Sequence, residues 1–370
     1  MLKKGTNVSD AKLMKGNEAL AEAAIRAGCQ AYFGYPITPQ SEILEYLADE
    51  GRRRGMIVLQ AESEVASINM VYGAAGAGAR VMTSSSSPGV SLMQEGLSYI
   101  ACAELPCLVV NVSRGGPGLG TIQPSQGDYF QATKGGGHGD YRLIVLAPSS
   151  VQEMADHVFD AFELADRYRN PVMVLADGAL GQMMEKVDFR ASTPSGHLPS
   201  KPWATTGKPA SRKPNVITSL HIQPEKMEEI NLHLQEKYRR IADKETRWEE
   251  VLTEDAEVVF VAFGLSARIA HRAVELAREQ GIRAGLLRPI TLWPFPTAAI
   301  RALAERVGGF MVIEMNAGQM VEDVRLAVEG RVPVGFYGRM GGVIPMPEET
   351  VVALRQQFPR FATQHAEALS

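Results

Sequence analysis

Tyr35-Pro36-Ile37-Thr38-Pro39 is the stretch on which the reading of this sequence turns. Each proline fixes its own φ, and Pro39 restricts Thr38 to extended conformations, so the Thr38 side chain is aimed with little entropy left to lose. The motif follows a predicted strand at residues 29–33. Two further residues stand in equivalent places: Glu64 after a predicted strand at 56–59, and Arg114 after one at 108–112. A hydroxyl, an acid and a cation therefore share the carboxyl ends of parallel strands, which is the crevice where open α/β sheets bind ligands. On the residues alone, Thr38-Pro39 is also a common way to begin a helix.

Working outward, residues 12–187 alternate helix and strand signals. Asn17 reads as the cap of a helix over 18–27 that stops at Gly28, and further helices are expected at 41–50, 63–77, 90–101 and 151–165. Strands are expected at 80–83, 107–112, 143–146 and 171–175, as short apolar runs suited to burial on both faces. The fold class is α/β, a doubly wound parallel sheet. Residues 188–250 form a linker, rich in Pro, Ser, Thr, Lys and Gly, and then a charged surface helix over 225–250. That helix packs through Met227, Ile230, Leu234, Tyr238 and Ile241. Residues 251–370 read as a smaller α/β domain.

Composition narrows the function. A chain of 370 residues, 45% hydrophobic and 22% charged, has room for two cores, and its net charge of −4 gives no pull toward nucleic acid or an anionic membrane. Arg52-Arg53-Arg54 reads as a solvated helix end. No stretch approaches the ~20 apolar residues of a spanning helix and residues 1–16 lack a signal-peptide centre, so the expected compartment is the cytoplasm. Cys29, Cys102 and Cys107 form no Cys-x-x-Cys pair, so the chain is expected to hold no iron–sulfur cluster itself, and the scattered histidines suggest no metal site.

Glu64 stands at the start of a helix rich in small residues. Glu62 is its rival, but two residues turn a helix by about half a turn. A helix-start carboxylate that favours the macrodipole is the plainer reading. Arg114 precedes Gly115-Gly116-Pro117-Gly118-Leu119-Gly120, where a guanidinium could grip a planar carboxylate by two parallel bonds or serve in a structural ion pair. Ser84 to Ser87 form a polar turn entering a helix, suited to donating to an anion or a ring edge. Neither Gly-x-Gly-x-x-Gly nor Gly-x-x-x-x-Gly-Lys-Ser/Thr occurs, and Gly73, Gly76 and Gly78 read as close-packing positions. His138 and Asp140 read as loop-structuring residues.

Tyr35 to Pro39, Gln60-Ala61-Glu62-Ser63-Glu64, Thr83 to Gly89, Gln94-Glu95 and Arg114-Gly-Gly-Pro-Gly together resemble the α subunit of the 2-oxoacid:ferredoxin oxidoreductases, closest to the 2-oxoisovalerate type, over residues 12–360. The resemblance implies a pyrimidine-binding domain at 1–187 and a transketolase C-terminal-like domain at 251–370. It implies thiamine diphosphate lined by Tyr35, Pro36, Ile37, Ser86, Ser87 and Gln94, with the Glu64 carboxyl on N1′ of the aminopyrimidine. Thr38 and Arg114 would hold the substrate. The family holds the diphosphate through Mg²⁺ with Gly-Asp-Gly, which is missing here, so a β subunit is expected to supply that half. Iron–sulfur [4Fe-4S] clusters are expected on β and ferredoxin-like δ chains, with a γ chain, coenzyme A as co-substrate and ferredoxin as acceptor. Loops resembling the 2-oxoglutarate type continue Ser-Thr-Gly where Gly118-Leu119-Gly120 stands here, and Leu119 favours an apolar, branched substrate tail. Alternatives are a 2-oxoglutarate or pyruvate enzyme, a non-oxidative thiamine-dependent decarboxylase or carboligase, and a non-catalytic assembly subunit.

Overall fold

Short apolar runs separated by amphipathic segments fold into sheets with helices on their faces. The computed structural model describes residues 11–193, 198–208 and 210–359. The first unit runs β1 (Lys12–Lys15), α1 (Gly16–Arg26), β2 (Ala31–Gly34), α2 (Ser41–Tyr46), β3 (Ile57–Gln60), α3 (Glu64–Gly76), β4 (Val81–Ser85), α4 (Ser87–Cys102), β5 (Cys107–Ser113), α5 (Tyr129–Lys134), β6 (Ile144–Leu146), α6 (Val151–Tyr168), β7 (Pro171–Asp177), α7 (Gly178–Gln182) and β8 (Met184–Val187). The second runs α8 (Pro224–Glu245), β9 (Trp248–Val251), β10 (Val258–Val261), α9 (Gly264–Glu279), β11 (Ala284–Pro289), β12 (Thr291–Trp293), α10 (Thr297–Ala304), β13 (Phe310–Glu314), α11 (Met320–Val328), β14 (Val334–Gly338) and α12 (Pro347–Gln357).

The larger sheet has the order β12-β6-β7-β5-β4-β2-β3 and is parallel except at β12. Every residue of β5 and β7 is buried, as parallel strands covered on both faces require. β2 lies between β3 and β4; the chain leaves β2 toward β3 and leaves β4 toward β5, in opposite directions along the sheet, so the crevice opens at the carboxyl ends of β2 and β4. The smaller sheet, β14-β13-β10-β11-β9, is parallel except at β9. One continuous apolar core joins a face of each sheet, with Ile68, Val90 and Leu97 in the same cluster as Val259, Phe310 and Val324. Gln126 fixes the junction: it donates to Phe263 O at 2.7 Å, and its side-chain oxygen accepts from Ser266 Oγ at 2.7 Å and from Met315 N at 3.0 Å.

Several expectations are corrected. α1 begins at Gly16, one residue before Asn17, and the Asn17 amide caps nothing. The charged helix ends at Glu245, after which the chain enters β9. Trp248-Glu-Glu-Val is too polar to read as a strand, but it pairs on one side only, at a sheet edge. β1, α5, α7, β8, β12, β14 and α12 are further elements that the patterns did not announce, and most span six residues or fewer. β12 also crosses the division at 250, since Thr291 pairs with Leu146 in the larger sheet. Gly73 faces open space, whereas a Cβ at Gly78 would meet Ala204 at 2.9 Å as a close-packing position does, and further close-packing glycines lie on α4. A Cβ at Gly96 would meet Ile68 at 2.6 Å and one at Gly89 would meet the Glu64 carboxylate at 2.6 Å. Residues 89 and 96 are two helical turns apart, and 64 and 68 one turn apart, so this seam brings α3 against α4.

Asp177 ends β7 buried, with Oδ1 accepting from the N–H groups of Ala179 and Leu180 at 2.9 and 3.1 Å. Burial outweighs those donors and pushes its pKa up to about 6. A raised folded pKa means that the protonated carboxyl favours the fold, and this contribution is lost as pH rises through about 6. Thermal unfolding from pH 7 down toward 4 should therefore show a stabilising component across that window in wild type and lose it in Asp177→Asn. At the helix seam, Gly96→Val should cost about 1–3 kcal/mol in denaturant unfolding. Combined with Ile68→Ala it should cost less than the sum of the single changes, because the cavity accepts the added methyls.

Candidate functional site

The loop after β2 is held from three sides. The Gln40 side chain accepts from Ser84 Oγ at 2.6 Å and donates to Tyr35 O at 3.3 Å, while Ser84 Oγ lies 2.8 Å from Tyr32 OH. Asn17 Nδ2 donates to Pro39 O and to Glu42 Oε2, both at 2.8 Å. On the third side, Arg114 Nη1 donates to Thr38 O at 2.9 Å. The Thr38–Pro39 and Gly116–Pro117 peptides are cis. Tyr35, Pro36 and Thr38 are exposed at the mouth of the crevice, and Ile37 is half-buried.

Arg114 latches two loops together. Its Nη2 donates to Leu119 O at 2.9 Å, its backbone N–H donates to Ser87 Oγ at 3.0 Å, and its buried Nε has no hydrogen-bond partner among the described residues. The two-pronged fork expected for a substrate carboxylate is thus engaged on backbone carbonyls. Leu119 enters through its carbonyl alone, its side chain being 81% exposed. Ser87 Oγ donates to Asp128 Oδ2 at 2.6 Å, which also accepts from Asn111 Nδ2 at 2.8 Å. Burial raises the Asp128 pKa against these donors. A cavity of about 440 Å³, bordered by Ser87, Arg114, Asp128, Asn316, Gln319 and Met340, lies between this loop and the second unit.

Glu64 is the first residue of α3, whose cap is Ser63, with Oγ accepting from Ala66 N at 3.1 Å. Its side chain is 6% exposed, and among the described residues it has neither a hydrogen-bonding nor an ion-pair partner. Glu62, the rival, points to solvent. The hydroxyls of Thr83, Ser85 and Ser86 at the end of β4 are buried and likewise unpartnered. A carboxylate so little exposed and without a protein hydrogen bond is free to accept one from a ligand. Together these groups form a cradle that can accept and share protons with a flat, nitrogen-rich ring.

Gln94 lies outside this cradle. Its Nε2 donates to Val90 O at 3.1 Å, and its Oε1 accepts from Gly136 N at 3.2 Å, so it clasps the glycine loop that carries His138 and Asp140. Gln40 and Asp128 are positioning residues that the sequence reading passed over, while Asn17 was read as a helix cap and Gly89 only as the end of a motif. Gln40, one residue beyond the Thr-Pro motif, was the most accessible of them. Cys29 and Cys107 are buried, with thiols pushed up to about 12 by burial, and Cys102 is half-buried.

Residues 22–252 match the family described as Pyruvate flavodoxin/ferredoxin oxidoreductase, thiamine diP-bdg, and residues 256–350 match Pyruvate:ferredoxin oxidoreductase core domain II. The chain belongs to the pyruvate flavodoxin/ferredoxin oxidoreductase family. Within that family it is similar to the ketoisovalerate oxidoreductase subunit VorB of Methanothermobacter thermautotrophicus, 55% identical over 90% of this chain and 93% of the relative. Its structure resembles a 2-oxoglutarate:ferredoxin oxidoreductase from Magnetococcus marinus solved with 2-oxoglutarate, coenzyme A and succinyl-CoA bound. The TM-score is 0.83 at 29% identity, over 95% of this chain and 66% of that one, so this chain spans just under two thirds of the solved chain. A split-gene transketolase shares the fold at a TM-score of 0.58 and 14% identity, over 94% and 98% of the two chains.

Gln40→Ala should free the Tyr35–Pro39 loop. Hydrogen exchange at the amides of 35, 37 and 38 should then speed up by the equivalent of about 1–3 kcal/mol. Amides of β5 and β7 should be unchanged, and an unaltered loop would mean that Asn17 and Arg114 suffice to hold it.

Proposed function

We propose that this chain is the α subunit of a thiamine-diphosphate-dependent 2-oxoacid:ferredoxin oxidoreductase that acts on branched-chain 2-oxoacids. The overall conversion takes a 2-oxoacid, coenzyme A and oxidised ferredoxin to an acyl-CoA, carbon dioxide and reduced ferredoxin. The observation that carries the reading is the buried Glu64 carboxyl without a protein partner, set at the switch point of the sheet. The orphaned hydroxyls of Thr83, Ser85 and Ser86 fit the edge of a pyrimidine ring there.

When bound, thiamine diphosphate supplies a nucleophilic thiazolium carbon that adds to the 2-oxo group. Glu64 holds and returns a proton at the pyrimidine N1′ atom. Tyr35, Pro36 and Ile37 would border the ring, with the Ser86 and Ser87 hydroxyls along one side of it. Thr38 and Arg114 orient the substrate carboxylate, Arg114 by exchanging one backbone carbonyl for the carboxylate and by holding Thr38 in place. The diphosphate and Mg²⁺ are assigned to a partner β subunit, the [4Fe-4S] clusters to the β and ferredoxin-like δ chains, and a γ chain completes the assembly. The cytoplasm is the compartment in keeping with such an assembly.

The branched-chain substrate is supported by the 55% identity to the ketoisovalerate subunit, against 40% to a 2-oxoglutarate synthase subunit of the same organism. Leu119, where 2-oxoglutarate-type loops carry a threonine, points the same way, although its side chain meets a substrate tail only once a partner covers the loop.

The test uses the assembled complex. Glu64→Gln should retain coenzyme binding while turnover falls by about two orders of magnitude or more. Near-normal turnover removes Glu64 from the reaction. In the same complex kcat/KM should be higher for 2-oxoisovalerate than for pyruvate or 2-oxoglutarate, and Arg114→Lys should raise KM for the 2-oxoacid with coenzyme affinity nearly unchanged.

A further inference from the structure

The four serines of Ser84 to Ser87 have separate tasks. Ser84, on the face of β4 that carries Met82, clamps the loop after β2 through Gln40, and Ser87 ties the Arg114 loop to Asp128. Ser85 lies on the opposite face, with Val81, which packs in the α3 and α4 layer with Ile68 and Val90. Its hydroxyl is fully buried and has no hydrogen-bond partner among the described residues. Its surroundings are defined by Gly89: a Cβ built there would lie 2.1 Å from Ser85 Oγ, 2.6 Å from Glu64 Oε1 and 2.8 Å from Glu64 Cγ. The serine hydroxyl and the inner carboxylate oxygen thus flank one point, which stays empty only because residue 89 has no side chain.

We propose that Ser85 is the positioning residue of the Glu64 carboxyl, its hydroxyl donating to Oε1 so that Oε2 is the oxygen presented to the crevice. The chemistry requires such a division. A carboxyl that hands a proton back and forth must keep it on one oxygen, and a free carboxyl can place it on either. A donor on the inner oxygen fills the lone pair there and leaves the outer oxygen as the one that carries the proton. Turning the Ser85 side chain across the point that the two groups share brings its hydroxyl toward Oε1, and among the described residues no other group is bonded to either. Gly89 is part of the same device, since any side chain there would wedge the two apart. The inference rests on the reading of Glu64 as the coenzyme-side carboxyl.

The experiment has two arms. In the purified full chain without coenzyme, isotope-edited infrared spectra taken as wild type minus Glu64→Gln isolate the Glu64 carboxylate stretch. Ser85→Ala should move that stretch from its hydrogen-bonded to its free position, and Ser85→Thr, which keeps the hydroxyl, should restore it. In the assembled complex Ser85→Ala should lower kcat by about ten- to a hundredfold, the weight of a hydrogen bond to a charged group, with KM for the 2-oxoacid unchanged, and Ser85→Thr should recover most of it. A carboxylate stretch unmoved in Ser85→Ala overturns the pairing whatever the turnover does. A stretch that moves while the Glu64→Gln complex turns over normally keeps the pair and overturns its catalytic role. The first result therefore fails this inference alone, and the second fails the reading beneath it.

Discussion

The close approach of α3 to α4 is the constraint on which the site depends. Two glycines on one face of α4, Gly89 and Gly96, let it lie against Glu64 and Ile68. Ordinary side chains there would push the helices apart, and the Glu64 carboxyl would move out toward solvent. Glycine in a helix interior costs about 0.5–1 kcal/mol relative to alanine, so the pair is a stability loss accepted for geometry. What that geometry achieves is a carboxyl whose environment is set by the fold before any ligand arrives.

Around that carboxyl, the remaining parts work through backbone atoms. Arg114 grips the carbonyls of Thr38 and Leu119, Asn17 grips that of Pro39, and Gln40 grips that of Tyr35. These contacts come from separate elements and converge on two loops of few residues. The loops carry the chemistry while the helices and strands carry the precision, the usual distribution of labour in α/β folds.

The sequence disclosed the parts of this arrangement that depend on local grammar. Strand ends and the double proline around Thr38 follow from short-range patterns, and the family resemblance picked out Glu64 rather than Glu62 and carried these residues to a chemistry. What stayed hidden depends on partners distant in sequence. Asn17 meets Pro39 across 22 residues, Gln40 meets Ser84 across 44, and Gln126 meets Ser266 across 140. Gln94 shows the converse: the motif that contains it matched, but its amide was already taken by Gly136, which no local pattern signals. Leu119 was read from its chemical character alone, and exposure depends on what covers a loop rather than on the residue.

β12 has a consequence for how the chain comes into being. It is three residues long, yet it closes the outer edge of the larger sheet by pairing with β6 from the far side of the linker and of α8, β9, β10, α9 and β11. During synthesis the first unit can assemble its parallel strands early, but its β6 edge remains a row of open backbone donors and acceptors until Trp293 has emerged. Such an edge invites pairing with any other extended chain nearby. The first unit therefore cannot be cut off at the linker and expected to stay monodisperse. A chaperone that shields nascent strand edges would act on this protein in the interval between the appearance of β6 and of β12.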